Sequence, residues 1–156
     1  MSTRGTSKAR IPPRWFIRCA WAVHRGLYRV TRGRLGLSRP KAADRWGVLR
    51  LTTVGRRTGL ERGVMLGYFE DGPNLITLAM NGWGAAEPAW WLNLQAHPDS
   101  TVHLPGGVRQ VHGRAAEGEE RARLWGRWRE IDGKVDALAA RRPSETAVVV
   151  LEPRAR

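Results

Sequence analysis

The sequence predicts an α+β domain, a small barrel of about six strands with helices packed outside it. Three observations carry that reading. Apolar and β-branched runs recur at short spacing between glycine- and proline-containing turns. Helical periodicity is confined to a few stretches that do not alternate one-for-one with the strands, which argues against a doubly wound sheet. At 156 residues and 42% hydrophobic the chain is one domain in length and has enough apolar side chains for a core.

Residues 1–12 are polar and basic and are expected to fray. From Pro13 to Thr31 the spacing predicts an amphipathic helix: Pro13 suits a first turn, and Phe16, Ala20, Val23, Leu27 and Val30 define one face. Arg14, Arg18, Arg25, Arg29 and Arg32 occupy much of the other side, with Trp15 and Trp21 flanking the stripe. Gly33–Pro40 reads as a linker. The expected division is a basic tail and helix over 1–40 and a barrel domain over 41–156.

Trp46–Val54 reads as the first strand, Gly55–Gly59 as a turn and Gly63–Glu70 as the second strand of a hairpin. Asp71-Gly72-Pro73 turns the chain into a third strand, Asn74–Met80, and Asn81–Gly84 is a glycine loop. Pro88–Ala96 is a short helix bounded by Pro88 and Pro98. Ser100–Leu104 and Val108–Arg114 form a second hairpin. Glu117–Ile131 is a helix with Glu117, Glu119 and Glu120 in its first turn, where the macrodipole favours them. A shorter helix is expected within Gly133–Arg142, and Thr146–Leu151 is a fully buried last strand.

The charge is uneven. Residues 1–62 hold 16 basic and 2 acidic side chains, a net of +14, whereas residues 63–156 hold 11 and 12, a net of −1. An anionic partner for the N-terminal part follows from this asymmetry. The composition also excludes several classes. A single cysteine allows no internal disulfide framework and no cysteine-rich zinc site, and Cys19 is read as a buried, inert thiol. No apolar run is long enough for a transmembrane helix, and Arg14 and Arg18 interrupt the first apolar stretch, so no secretory leader is expected and the expected location is cytoplasmic.

No nucleophile elbow, zinc-protease motif or Walker lysine loop is present. His24, His97, His103 and His112 are scattered; His103 and His112, both on hairpin strands, are a weak candidate pair for a metal and no metal is expected. Such a chain either does not catalyse or uses a cofactor's chemistry. Two segments suit a cradle. In Thr52–Gly59 followed by Arg62, two glycines expose backbone N–H groups beside Arg56, Arg57 and Arg62, three forked cations that suit a phosphate or carboxylate; a solvated basic turn is the plain alternative. In Ala79–Gly84 and Pro88–Leu94, Gly82 and Gly84 permit close approach of a flat ring. Trp90 and Trp91 point about 100° apart on the helix, so one can be core and the other a stacking surface, unless both pack on the barrel.

These residues bring the chain to a family. The order Thr52-Thr-Val-Gly-Arg-Arg-Thr-Gly59, Arg62, Asp71-Gly72, Asn81-Gly82, Pro88-Ala-Trp-Trp-Leu-Asn-Leu-Gln-Ala-His-Pro98, Gly118–Trp125 and Val148–Pro153 resembles the deazaflavin-dependent nitroreductase and quinone reductase family of actinobacteria. The resemblance covers about two-thirds of the chain, from Trp46 to Pro153. It implies a split β-barrel related to flavin-binding oxidases. It also implies coenzyme F420 as cofactor, with FMN as second choice, and hydride transfer from the reduced coenzyme to a quinone, enone or nitro acceptor. Carried over residue by residue, Arg56, Arg57, Thr58 and Arg62 would hold the phosphate and acidic tail, and Met80, Asn81, Gly82, Ala89, Trp90 and Asn93 the ring system. The charge asymmetry agrees with a multiply anionic coenzyme.

The chain also departs from that family. Met65, Gly67 and Met80-Asn81 stand where members usually carry other residues, and Asp132, Val135 and Leu138 occupy positions where the nitroimidazole-reducing members have tyrosines. No side-chain acid is evident; Tyr68 and Asp132 are the candidates, with solvent as the alternative proton source. The N-terminal helix reads as core packing, as a lid over the acceptor pocket, or as an anchor on an anionic membrane. Split barrels often complete their sites across a dimer, so a homodimer is compatible. Two other functions compete: a non-catalytic flavin, deazaflavin or haem binder, and a basic nucleic-acid-binding protein, the latter unsupported by any recognition motif.

Overall fold

Gly47–Val54 (β1) alternates buried and half-buried residues along its whole length, the period expected of a strand with one face on a core. It opens a run of six strands: Glu61–Asp71 (β2), Asn74–Leu78 (β3), Asp99–Leu104 (β4), Gly107–Ala115 (β5) and Val148–Pro153 (β6). Three helices follow or interrupt them, Ala89–Ala96 (α1), Gly118–Ile131 (α2) and Val135–Ala139 (α3). The computed structural model describes residues 36–41 and 45–155, together with Trp15, Arg18, Cys19 and Ala22. The rest of the predicted N-terminal tail and of the Pro13–Thr31 helix lies outside the described residues.

All strand pairs are antiparallel, in the order β1-β2-β3-β6-β5-β4. Pairing of Arg50 with His103, Leu51 with Val102 and Thr52 with Thr101 joins β1 to β4 and closes the barrel. The predicted strands are thus all present, with ends shifted by a few residues. β2 is longer than expected, because Glu61 and Arg62 stay paired to Val54 and Thr53. The linker reading of Gly33–Pro40 changes at Ser38, which exchanges backbone hydrogen bonds of 3.0 Å with Val48 and so ties the segment to β1.

The buried residues form two clusters, and strand alternation sorts them. Leu49, Leu51, Leu66, Tyr68, Leu75, Val149 and Leu151 fill the barrel interior with Trp90, Trp91 and Leu94 of α1. Phe69, Ile76, Leu78, Val148 and Val150 point outward beneath Leu124, Trp128 and Val135 of α2 and α3. Val148–Leu151 is therefore buried on both faces, which accounts for its unbroken apolar run. Burying each such side chain stabilises by about 1.5–3 kcal/mol. Outside the barrel, Phe69 meets Trp128 edge-on at 5.1 Å. Gly113 is where α1 presses closest: a Cβ there would stand 2.7 Å from Cγ of Leu94.

Arg114 joins β5 to α2 and β6, with hydrogen bonds of 2.7 Å to both Glu120 and Glu152. Arg123 holds Asp71 bidentately at 2.8 Å. Two histidine and cysteine readings need correction. The β4–β5 register sets His112 opposite Asp99 and His103 opposite Val108, so the two imidazoles stand apart along the hairpin. Cys19 is exposed rather than buried. It sits at the edge of the predicted apolar stripe, and among the described residues the buried core begins only at Leu49. No helix among the described residues is long and apolar enough to cross a membrane.

Candidate active site

The β1–β2 turn is shaped by its glycines. Gly55 is buried, and a Cβ there would approach Oγ1 of Thr58 to 2.9 Å. Gly59 takes a φ of 69°, and its N–H donates to the Gly55 carbonyl at 2.7 Å. Arg56, Arg57 and Thr58 are thereby held at the exposed tip. The turn is fixed to α1 by a buried amide. Both the backbone N–H and the guanidinium of Arg56 donate to Oδ1 of Asn93, at 3.1 and 3.0 Å. Asn93 thus serves the arginine turn directly, a role that its place among the ring-holding residues did not suggest.

The second wall is the Ala79–Glu87 loop between β3 and α1. Gly82 takes a φ of 55°, and Trp83, unusually for a bulky residue, a φ of 60°. The Gly84 N–H donates to the Asn81 carbonyl at 3.0 Å. Arg142 braces the whole loop. Its side chain is completely buried and donates to the carbonyls of Ala79 and Gly84, both at 3.1 Å, to Oγ1 of Thr146 at 2.7 Å and to Glu87 at 2.9 Å. Ser144 donates a further 3.0 Å bond to the same carboxylate oxygen of Glu87. A buried guanidinium is tolerated only when its fork is satisfied in this way.

Between these walls lies a cleft of about 1060 Å³. All ten sequence-predicted positions line it: Arg56, Arg57, Thr58, Arg62, Met80, Asn81, Gly82, Ala89, Trp90 and Asn93. Trp90 lines the cleft while resting on the barrel interior, whereas Trp91 is core alone. Sequence reasoning missed Arg18, Trp83 and Lys134, which also face the cleft. Among the described lining residues there are five cations, Arg18, Arg56, Arg57, Arg62 and Lys134, and no carboxylate. The guanidiniums of Arg57 and Arg62 have no ion pair among the described residues. The apolar lining includes Val64, Met65, Leu66, Leu78 and Leu138. Gly67 is half-buried there and carries the ring of Trp46, whose Cε3 would stand 2.8 Å from a Cβ at that position.

The two candidate proton donors do not face this cleft. Tyr68 is fully buried in the barrel and borders a separate space of about 150 Å³ with Arg39, Glu70 and Arg109, and burial raises its hydroxyl above the usual phenol range. Asp132 instead accepts the Lys134 backbone N–H at 3.0 Å. The arrangement suits a flat molecule with an anionic arm, held by position and charge rather than by a reactive side chain.

The model of the F420H(2)-dependent quinone reductase family matches residues 21–153. The chain belongs to this family. The family member described here is 30% identical over 99 residues to Rv3178 of Mycobacterium tuberculosis, a protein named as an F420H(2)-dependent quinone reductase; the match spans 64% of this chain and 83% of that one. Its fold is similar to a solved F420-H2 dependent reductase, FDR-A, with a TM-score of 0.61 and 25% identity over 67% of this chain and 93% of that chain. A solved domain-swapped dimer gives a TM-score of 0.66 at 25% identity, covering 90% of this chain and all of the other. The barrel is thus the split barrel that the family resemblance implied.

Proposed function

We infer that this protein is an F420-dependent oxidoreductase that passes a hydride from the reduced coenzyme to a quinone-type acceptor. The single observation that carries the reading is the cleft of this family member: an arginine-studded turn and apolar side chains line one space, with no carboxylate among its described lining residues. Those residues fit the coenzyme's chemistry. Arg57 and Arg62, with Arg56 fixed by Asn93, would receive a phosphate and an acidic tail, each charge-assisted hydrogen bond contributing about 1.5–3 kcal/mol. Gly82, Ala89 and Trp90 would border the ring, with Trp90 offering an aromatic face.

When bound, the reduced coenzyme supplies a hydride, two electrons with one hydrogen. The chain's own residues do the rest by placement. The Arg56–Asn93 bonds fix the turn relative to α1, so the anionic arm and the ring would be held in one register. Met80, Leu78 and Leu138 would cover a bound ring with apolar surface and so limit water beside it. Backbone amides at the Gly82 turn would stabilise negative charge developing on an acceptor oxygen. With Tyr68 and Asp132 off the cleft, the balancing proton comes from solvent.

Two finer parts of the reading concern partners. Arg18 lines the cleft, which favours the lid role for the N-terminal segment over core packing. Trp15 is 67% exposed, which suits contact with an anionic membrane surface. A homodimer is in keeping with the domain-swapped relative.

The test is turnover: reduced F420 mixed with the protein and 2-methyl-1,4-naphthoquinone, followed by recovery of oxidised-coenzyme absorbance. Oxidation that requires protein and quinone together supports the reading. Equal oxidation without protein, or none with it, refutes it.

A further inference from the structure

Trp83 is a bulky side chain held in the left-handed region, with a φ of 60°. That conformation is unfavourable for a residue with a bulky side chain and persists only where surrounding structure imposes it. Here the imposing structure is visible. Arg142 grips the loop on both sides of Trp83, at the carbonyls of Ala79 and Gly84, and is itself held by Glu87 and Thr146. The indole lines the cleft and is half-buried, leaning on the outer core beneath α2 and α3. Trp90, the other tryptophan of the cleft, belongs to the barrel interior instead. The two aromatic walls therefore stand on different cores. Trp83 and Met80 pack on the outer core that includes Val135 of α3, and Lys134 and Leu138 line the same cleft.

We propose that Trp83 is a specificity-determining residue whose indole forms the acceptor-side wall of the cleft, and that Arg142, paired with Glu87, is the positioning residue that holds it there. The inference rests on the oxidoreductase reading above. An electron-rich indole face suits an electron-poor flat acceptor such as a quinone, through offset stacking and apolar contact. A glycine at this position would accept the backbone without strain but would give no wall. The turn itself does not call for a tryptophan; the indole packs on the outer core and presents a face to the cleft.

The test compares wild type with Trp83→Gly, Trp83→Asn, Arg142→Lys and the Trp83→Gly/Arg142→Lys pair. Four readouts are taken: melting temperature, affinity for oxidised F420, KM and kcat with 2-methyl-1,4-naphthoquinone, and quenching of tryptophan fluorescence by that quinone in coenzyme-free protein. Trp83→Gly relieves the left-handed strain but gives up the indole's packing on the outer core, so its melting temperature serves to show that the variant is folded. It should keep F420 affinity within about twofold while the quinone KM rises about tenfold or more, and quinone quenching should weaken in parallel. Trp83→Asn, which also tolerates this conformation, should show the same KM rise and decides the matter if the glycine variant folds poorly. Arg142→Lys should raise the quinone KM too, and the pair should be no worse than the worse single change, because both act through one indole. An unchanged KM and unchanged quenching in Trp83→Gly and Trp83→Asn would overturn the proposal. So would a loss of F420 affinity as large as the KM rise, since the indole would then belong to the coenzyme. Wild type that binds no F420 refutes the oxidoreductase reading, while the coenzyme-free quenching still decides the role of Trp83.

Discussion

Asn93 Oδ1 accepts two hydrogen bonds from Arg56, one from its backbone N–H at 3.1 Å and one from its guanidinium at 3.0 Å. One buried amide oxygen thus sets the angle between the arginine turn and α1, the two walls that would hold the ends of one ligand. Asn93→Leu removes the acceptor and leaves the apolar surroundings intact. Its expected cost is about 1–3 kcal/mol in denaturant unfolding. F420 affinity should fall about tenfold, because the turn loses its anchor. Unchanged affinity in a folded Asn93→Leu protein would show that the turn holds its position without α1.

Gly113 makes room for Leu94. A Cβ at this position would fall 2.7 Å from Cγ and 2.9 Å from Cδ1 of that fully buried leucine. Gly113→Ala is therefore expected to destabilise by about 1–3 kcal/mol through overpacking of the barrel interior. Chemical denaturation measures it. Pairing it with Leu94→Ala should recover part of the loss, since both changes act on one contact.

The Tyr68 hydroxyl is buried and has no hydrogen-bond partner among the described residues. Burial pushes it above the ordinary phenol range. Tyr68→Phe removes a polar atom and keeps the ring that fills the barrel. Stability should stay within about 1 kcal/mol of wild type or rise. Because this residue lies off the cleft, kcat with reduced F420 and quinone should not change, whereas a large loss of kcat would restore the tyrosine as proton donor.

Arg123 holds the Asp71 carboxyl below its usual range, chiefly through the bidentate hydrogen bonds. With the folded value depressed, the unfolded chain binds the extra proton first as pH falls. The stabilisation is thus complete above the ordinary carboxylate value of about 4 and is lost as pH drops through the folded value. Arg123→Ala should lower the melting temperature near neutral pH and flatten its fall in acid. A melting curve as steep in acid as that of wild type would mean that other carboxylates, Glu120 and Asp136 among them, dominate the acid limb.

The strands were legible because their apolar runs and glycine turns carry local information. The unbroken Val148–Leu151 run already implied burial on both faces, and the barrel interior and the outer helices supply the two faces. Met80, Asn81, Ala89 and Asn93 were implied by the family resemblance and not by their spacing, whereas the arginine turn was legible as a candidate anion cradle from Arg56, Arg57 and Arg62 beside two glycines. Arg142 was not, since the composition holds many arginines and nothing local separates it from its exposed neighbour Arg141; only packing of the distant Ala79–Glu87 loop does. Nor was Trp83, because a left-handed tryptophan runs against its own propensity. Cys19 was misread because a stripe of apolar spacing marks a face without saying what covers it.

The most direct measurement is a titration of oxidised F420, with FMN in parallel, into wild type and into Arg57→Ala/Arg62→Ala, followed by intrinsic tryptophan fluorescence. These two arginines face the cleft and have no ion pair among the described residues, so their loss should leave the melting temperature unchanged. Saturable F420 binding is expected that is much tighter than FMN binding, weakens with added salt, and falls by about a hundredfold in the double variant. F420 affinity equal in wild type and variant, or FMN bound more tightly than F420, would contradict this expectation.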